Sequence, residues 1–174
     1  GPLEAVAARH APRAAIKCDL ALVAAIDPHL DARRAAAEGR AASRRCGIRM
    51  LNLGCDLYND DRLHRYAKHV AAGDAPGTQT IALALLGVAG GIDEEQAALI
   101  ELHTVAVSLL SAAIRLGALD HMAAQQLLVA VRPLLEEAAA IGCNIDWRDM
   151  HAFAPQIEIA QFRHAAGLTH MFVS

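Results

Sequence analysis

The sequence predicts an all-α protein, a single-domain bundle of about seven to eight helices over residues 1–174. Three observations carry this. Hydrophobic residues make up 55% of the chain and aromatics only 3%, so alanine and leucine must fill the core. Alanine is the strongest helix former, and the residue types that favour strands are scarce. Apolar residues recur at helical spacing between Gly, Pro and Asp punctuation. Residues 93–141 read as a helical hairpin. Asp93-Glu94-Glu95-Gln96 is a capping-box start, and an almost unbroken apolar run leads to Ile114. Gly117 and Asp120 then stop one helix and start the next, which carries Leu127, Leu128, Val131, Leu134 and Leu135. A helix apolar nearly all round sits inside a protein, so this hairpin is expected to form the core. A chain of this length suits one domain with a sizeable core.

The remaining elements follow in order. Residues 3–26 hold a helix interrupted at Pro12. Asp27-Pro28 has the form of an N-cap followed by proline at the first helical position, and opens an amphipathic helix over 28–53. At 100° per residue Ala35, Ala42, Cys46, Met50 and Leu53 share its apolar face. Arg33, Arg40 and Arg44 line the opposite side, with Arg34, Arg45 and Arg49 beside them. Gly39 and Gly47 permit close approach, and Gly54 ends the helix. A short helix over 60–72 turns Leu63, Tyr66, Ala67 and Val70 inward. The loop at residues 73–77 precedes an apolar helix over 79–89, capped by Thr78 or Thr80 and closed by Gly90-Gly91. Pro133 is expected to kink the second hairpin helix, and a final helix is expected over 155–166.

Composition narrows function. Sixteen Lys+Arg against nineteen Asp+Glu give a formal charge of −3, which argues against general nucleic-acid affinity. Four scattered cysteines, with no C-x-x-C, read as reduced thiols in a cytoplasmic protein. The longest uncharged stretches are broken by Pro, Gly, Thr, Gln or His and read as core helices rather than membrane spans. Gly1-Pro2 fits a protease-cleavage scar, in which case the natural N-terminus is missing.

Catalytic and metal motifs do not emerge. The sequence has no phosphate-binding G-x-x-x-x-G-K-[ST], no G-x-S-x-G and no H-E-x-x-H, and its nine histidines form no i,i+4 pair. Glu101 and His103, two apart, point to different faces of a helix. His164, His170 and Cys143 could hold a metal only if the fold gathers them, and their spacing gives no support. The chain therefore reads as a non-enzyme without metal or cofactor. Arg115 either binds the last carbonyls of its helix or pairs with a carboxylate in the fold or at an interface. The Arg33/Arg40/Arg44 stripe is either a solvated face or a docking surface for an acidic partner. The end of the chain, Met171-Phe172-Val173, is apolar where chain ends are usually polar, and needs a groove.

At four places in order the chain resembles the urease accessory protein UreF family. Residues 111–128, Ser-Ala-Ala-Ile-Arg115-Leu-Gly-Ala-Leu-Asp-His-Met-Ala-Ala-Gln-Gln-Leu-Leu, resemble its S-A-x-x-R-L-x-P-L-G-Q-x-x-x-Q-x-L-L hairpin. Residues 40–51 resemble its R-x-A-S-x-x-x-G-x-x-L-L helix, from Arg40 through Ser43, Arg44 and Gly47 to Leu51. Residues 82–92 resemble its apolar helix and Gly-[LI] stop. Residues 153–174, with Pro155, Arg163-His164 and Met171-Phe172-Val173-Ser174, resemble its P…R-H-E…R-L-F-x-S ending. The likeness runs from about Asp19 to Ser174. Asp120-His121 replace Gly-Gln, Ala165 replaces Glu, His170 replaces Arg, and the G-G-F-S-Y-S-x-G-L-E segment is absent.

The resemblance implies an all-helical, dimerising, cytoplasmic scaffold without catalysis of its own. It would bind UreD/UreH, recruit the GTPase UreG, and serve GTP-dependent nickel delivery to apo-urease. Partner-binding residues would be Arg163, His164, Leu168, His170, Met171, Phe172, Val173 and Ser174, with Phe172 as anchor, together with Arg115, Arg40 and Arg44. The alternative is a generic helical adaptor that uses the basic helix face.

Overall fold

The computed structural model describes residues 2–34, 36–142 and 144–151. Within them lie seven α-helices and one 3-10 turn, and no strand. They are α1 (Pro2–Ile16), α2 (Leu20–Ala32), α3 (Ala37–Leu57), α4 (Asp61–Ala72), α5 (Gln79–Ala89), α6 (Glu94–Arg115) and α7 (His121–Gly142), then the turn Trp147–Asp149. The expected helix over 155–166 lies outside the described residues.

α1 is the spine. Leu3, Val6, Ala7, Ala11, Ala14 and Ala15 face a main core built with α2, α4, α5 and single residues such as Leu51 and Met150. Ala5 and Ala8 face a second, small cluster with Ala98, Leu102 and Ala139 at the base of the α6–α7 hairpin. Alanine along both faces lets helices lie close on either side. At Gly142 an added Cβ would stand 3.2 Å from the Ala5 backbone.

Helix α1 runs through Pro12, and the chain breaks instead at Lys17–Asp19. There Cys18 adopts φ 58° and Asp19 caps α2 by accepting from Leu22 N at 3.0 Å. The expected helix over 28–53 is two elements. Pro28 lies inside α2, and Asp27 is a core residue rather than an N-cap. Its carboxylate accepts from Tyr66 Oη (2.5 Å), Gly77 N (2.7 Å), Thr78 N (3.2 Å) and the Thr78 hydroxyl. Four donors satisfy a fully buried carboxylate better than one free helix-end amide would. This draws position 27 into the fold and moves the break to residues 33–36.

The inward face of α3 is Ser43, Gly47, Leu51 and Gly54, one residue on from the expected stripe, while Cys46, Ile48 and Leu53 are exposed. The reason is closeness. A Cβ on Gly47 would lie 2.1 Å from the Gly77 carbonyl oxygen, and one on Gly54 2.8 Å from Leu86 Cδ2. Small residues face in because the 77–78 backbone and α5 press on this face. Gly54 is thus an interior contact and not a stop, and α3 continues to Leu57.

α4 turns Leu63 and Tyr66 inward as expected, and α5 has the predicted bounds. Thr78 holds the N-cap position of α5 but spends its hydroxyl on Asp27. The cap is supplied by Ser43 of α3, whose Oγ accepts from Gln79 N at 3.1 Å. α6 opens with the predicted capping box, Asp93 Oδ1 accepting from Gln96 N and Gln96 Oε1 from Asp93 N. It closes at Gly117, φ 70°, with Ala118 N donating to Ala113 O and Gly117 N to Ile114 O. Asp120 caps α7, which continues through Pro133.

Candidate functional site

Two α1 arginines hold the base of the α6–α7 hairpin. Arg13 donates to Glu94 through Nε and Nη2 at 2.6 and 2.9 Å, and Arg9 Nη2 lies 3.6 Å from the same carboxylate. The Arg13 hydrogen bonds keep the Glu94 carboxyl below the ordinary carboxylate range. Beyond this base the hairpin leaves the body. The expectation that it forms the core is therefore corrected. Only Ala97, Ala98, Glu101 and Leu102 of α6, and Ala124, Ala139 and Gly142 of α7, are buried.

The rest is an arm with large apolar side chains in the open. Leu109 is 57% exposed, Met122 68%, Val129 74% and Leu134 61%. Single exposed apolar residues are ordinary, but so many large ones on one pair of helices favour an interaction surface. A groove of about 470 Å³ runs between the two helices. Leu99, Ile100, Leu128, Val129 and Leu135 line it, and His103, Arg132 and Glu136 supply its polar atoms. By length and composition alone α6 could cross a bilayer. Its buried base, carrying Glu101, packs on α1 and α5.

The basic residues divide. Arg44 pairs with Asp31 through Nε (3.0 Å) and Nη2, clamping α3 on α2, and this hydrogen bonding pushes its guanidinium pKa up. Arg40 Nη1 donates to the Arg34 carbonyl, and Arg33 Nη2 to the Arg148 carbonyl at 3.1 Å. These three side chains tie the chain to itself. Arg45 and Arg49 lie on the exposed side of α3 beside Ile48 and Leu53. Arg115 is exposed in the last turn of α6, at the far end of the arm from Arg40 and Arg44. Arg163, His164, Leu168, His170, Met171, Phe172, Val173 and Ser174 lie outside the described residues, as does Cys143. Among the described residues no three His, Cys, Asp or Glu side chains gather as metal ligands.

The segment that follows α7 is fastened to the body. His10 Nε2 donates to the Ile145 carbonyl (2.9 Å), and His29 Nε2 to that of Arg148 (3.0 Å). Trp147 packs edge-on against His29 under the Arg148 guanidinium. The sequence held no periodic signal for this clasp. Nor did it show the arm's exposed face, because an interface helix and a core helix carry the same apolar pattern.

Fold and surface together define an all-α protein with a body organised on α1 and an uncovered apolar two-helix arm. Residues 1–132 match the UreF family. The chain is 29% identical over 164 residues to the urease accessory protein UreF of Trichodesmium erythraeum, covering 94% of this chain and 71% of the relative. It is 31% identical over 152 residues to that of Paenarthrobacter aurescens (87% and 68%). It is 31% identical over 176 residues to urease accessory protein UreF 2 of Brucella suis (98% and 70%). The chain belongs to the UreF family, whose named members here are accessory proteins of urease.

Proposed function

We propose that this chain is a non-catalytic urease maturation scaffold of the cytoplasm. It binds UreD/UreH and recruits the GTPase UreG for GTP-dependent nickel insertion into apo-urease. Family membership across most of the chain carries the reading. The uncovered arm supports it, since a protein that acts by assembling others must carry apolar surface that its own fold leaves open. The arm also fits a homodimer, in which two copies cover each other's exposed helix faces about a two-fold axis. Arg115, near the arm's tip, would then lie in or beside an interface. The apolar end of the chain, with Phe172 as anchor, is assigned to a groove on UreD/UreH.

Capture by immobilised UreD/UreH of the chain with and without residues 168–174 tests this. The intact chain is expected to be retained and the shortened one lost. Equal capture of both would remove the tail from the contact, and capture of neither would reject the partner.

A second reading, a helical adaptor that uses a basic face, is favoured by the mixed outer side of α3. Its test belongs at Arg49, on the exposed side of α3. Charge reversal at Arg33, Arg40 or Arg44 would break contacts within the chain and confuse docking with folding.

A further inference from the structure

Glu101 is buried without a direct countercharge. It lies on the body side of α6, 4% exposed. Its Oε1 accepts from the Thr80 hydroxyl at 2.7 Å, and its Oε2 has no hydrogen-bond partner among the described residues. The Thr80 hydroxyl has one proton, used on Glu101, and its oxygen accepts in turn from Arg34 Nη2 at 3.1 Å. The same Nη2 lies 3.8 Å from Glu4 Oε1. The nearest guanidinium is therefore one hydroxyl removed from Glu101 and shared with another carboxylate.

The charge of the chain's amino terminus reaches Glu101, and the described elements around it supply the other groups. α1 presents Glu4, the link between α2 and α3 presents Arg34, and α5 presents only the neutral Thr80. The base cluster with α7 is apolar, through Leu135, Ala138 and Ala139. An ionised carboxylate with one oxygen unbonded is costly in such a place, whereas a protonated one is not. Burial pushes the carboxyl above its ordinary range, outweighing the opposing pull of Thr80, Arg34 and the amino terminus.

The position matters because it is the base of the arm. Beside the ion pair at Glu94, Ala98 and Leu102 of α6 pack there on Ala5 and Ala8 of α1.

We propose that Glu101 is a pH-sensitive latch between arm and body: protonated it holds the base of α6 on α1 and α5, and ionised it lets that base open. This deepens the reading of the arm as a docking surface and rests on it only for the consequence, a docking face whose mobility follows pH. The sign follows from the two states. The carboxyl has the higher pKa when closed, so closure is complete below the open-state value of about 4.3. Above that value closure weakens by up to tenfold per pH unit until the pH reaches the raised closed-state value, and is level beyond it, because each unit of pKa difference is a tenfold ratio.

Amide hydrogen exchange on the full chain alone, corrected for the intrinsic base-catalysed rate, reads the latch directly. From about pH 5 to about pH 9, protection of residues 94–104 is expected to fall by up to tenfold per unit until the closed-state pKa is passed and to level off beyond it, and to stay level throughout in Glu101→Gln. Thr80→Val removes a hydrogen bond to the ionised form and is expected to move the fall to higher pH. Should Glu101→Gln not fold, Glu101→Met carries the same comparison, since it too cannot titrate. A level wild-type profile, parallel profiles in wild type and variant, or no upward move in Thr80→Val each overturns the latch. No UreD/UreH is present, so the outcome is separate from whether the arm docks it.

Discussion

Asp27 meets four donors from two separate stretches of chain, Tyr66 and Gly77–Thr78, so its contribution can be divided by removing them one at a time. Burial pushes the Tyr66 phenol pKa up, further raised by the charge of Asp27 beside it, which keeps the hydroxyl a donor at any working pH. Tyr66→Phe deletes one hydrogen bond to a charged acceptor and is expected to lower stability by about 1.5–3 kcal/mol. Asp27→Ala leaves the Tyr66 hydroxyl, the Thr78 hydroxyl and two backbone amides without their acceptor, and is expected to cost well over that, at about 1–3 kcal/mol per stranded donor. Urea unfolding of both variants decides the matter. Losses equal within error would mean that Asp27 does not organise the Gly77–Thr78 approach. Glu94 supplies the acid side of the pH profile. Arg13 holds its carboxyl below the unfolded value of about 4.3, so its contribution is present above that pH and is lost as pH falls through the lowered value. Glu94→Gln is therefore expected to flatten the acid limb of a stability-against-pH curve. Since the pair is partly open to solvent, the effect shrinks in high salt. A wild-type acid limb unchanged in the variant would show that the ion pair is not felt.

Elements were legible where local chemistry alone decides them. α5 lies between Thr78 and Gly90, and α6 starts on a capping box, so both stand where the sequence puts them. The α2–α3 region was not legible. Asp-Pro is a strong helix start, and nothing local reveals that Asp27 has four better-placed partners up to 51 positions away. The inward face of α3 was missed by one residue for a related reason. Hydrophobic periodicity selects Met50 and Leu53, whereas the fold selects the small side chains that admit another backbone. Two substitutions on this helix are expected to have opposite signs. Gly47→Ala places a carbon 2.1 Å from the Gly77 carbonyl and must displace backbone, with a loss at or beyond the usual overpacking cost of about 1–3 kcal/mol. At Gly39 the nearest atom to the new Cβ is Ala36 Cβ at 4.0 Å, so Gly39→Ala only removes helix-interior glycine and should gain about 0.5–1 kcal/mol. Thermal unfolding of the pair checks this, and a gain at both positions would refute the close approach of α3 to residues 77–78. The four motifs of the resemblance follow the same division. Ser43 and Gly47 prove to be the residues that receive the backbone of residues 77–79, and Leu51 is a core residue, so that motif is written for packing. The family match over residues 1–132 takes in α1, which the motif resemblance beginning at Asp19 had left out and which is the spine of the fold.

At the scale of the whole molecule the decisive fact is asymmetry of burial. The body closes a core between α1, α2, α4 and α5, yet the two longest helices, α6 and α7, form an arm that shares only its base with that body. Pattern could not reveal this, because the free energy of covering Leu109 or Val129 is the same whether the cover comes from the same chain or another. In the homodimer proposed above, a second copy would cover these faces without new sequence, each arm lying against the other's exposed side. Leu109→Glu and Val129→Glu place charges at positions 57% and 74% exposed, where the single chain makes little use of the side chain. Each variant is expected to unfold within about 0.5 kcal/mol of wild type, as surface substitutions do. In multi-angle light scattering at a concentration where the parent chain is dimeric, both are expected to run as monomers, because a charge forced into an apolar interface must give up its hydration. Variants that keep the parent's mass would move the interface off the arm. A monomeric parent would leave the arm to a different protein, and capture by UreD/UreH with the same two variants then reads whether that protein is the one that covers it.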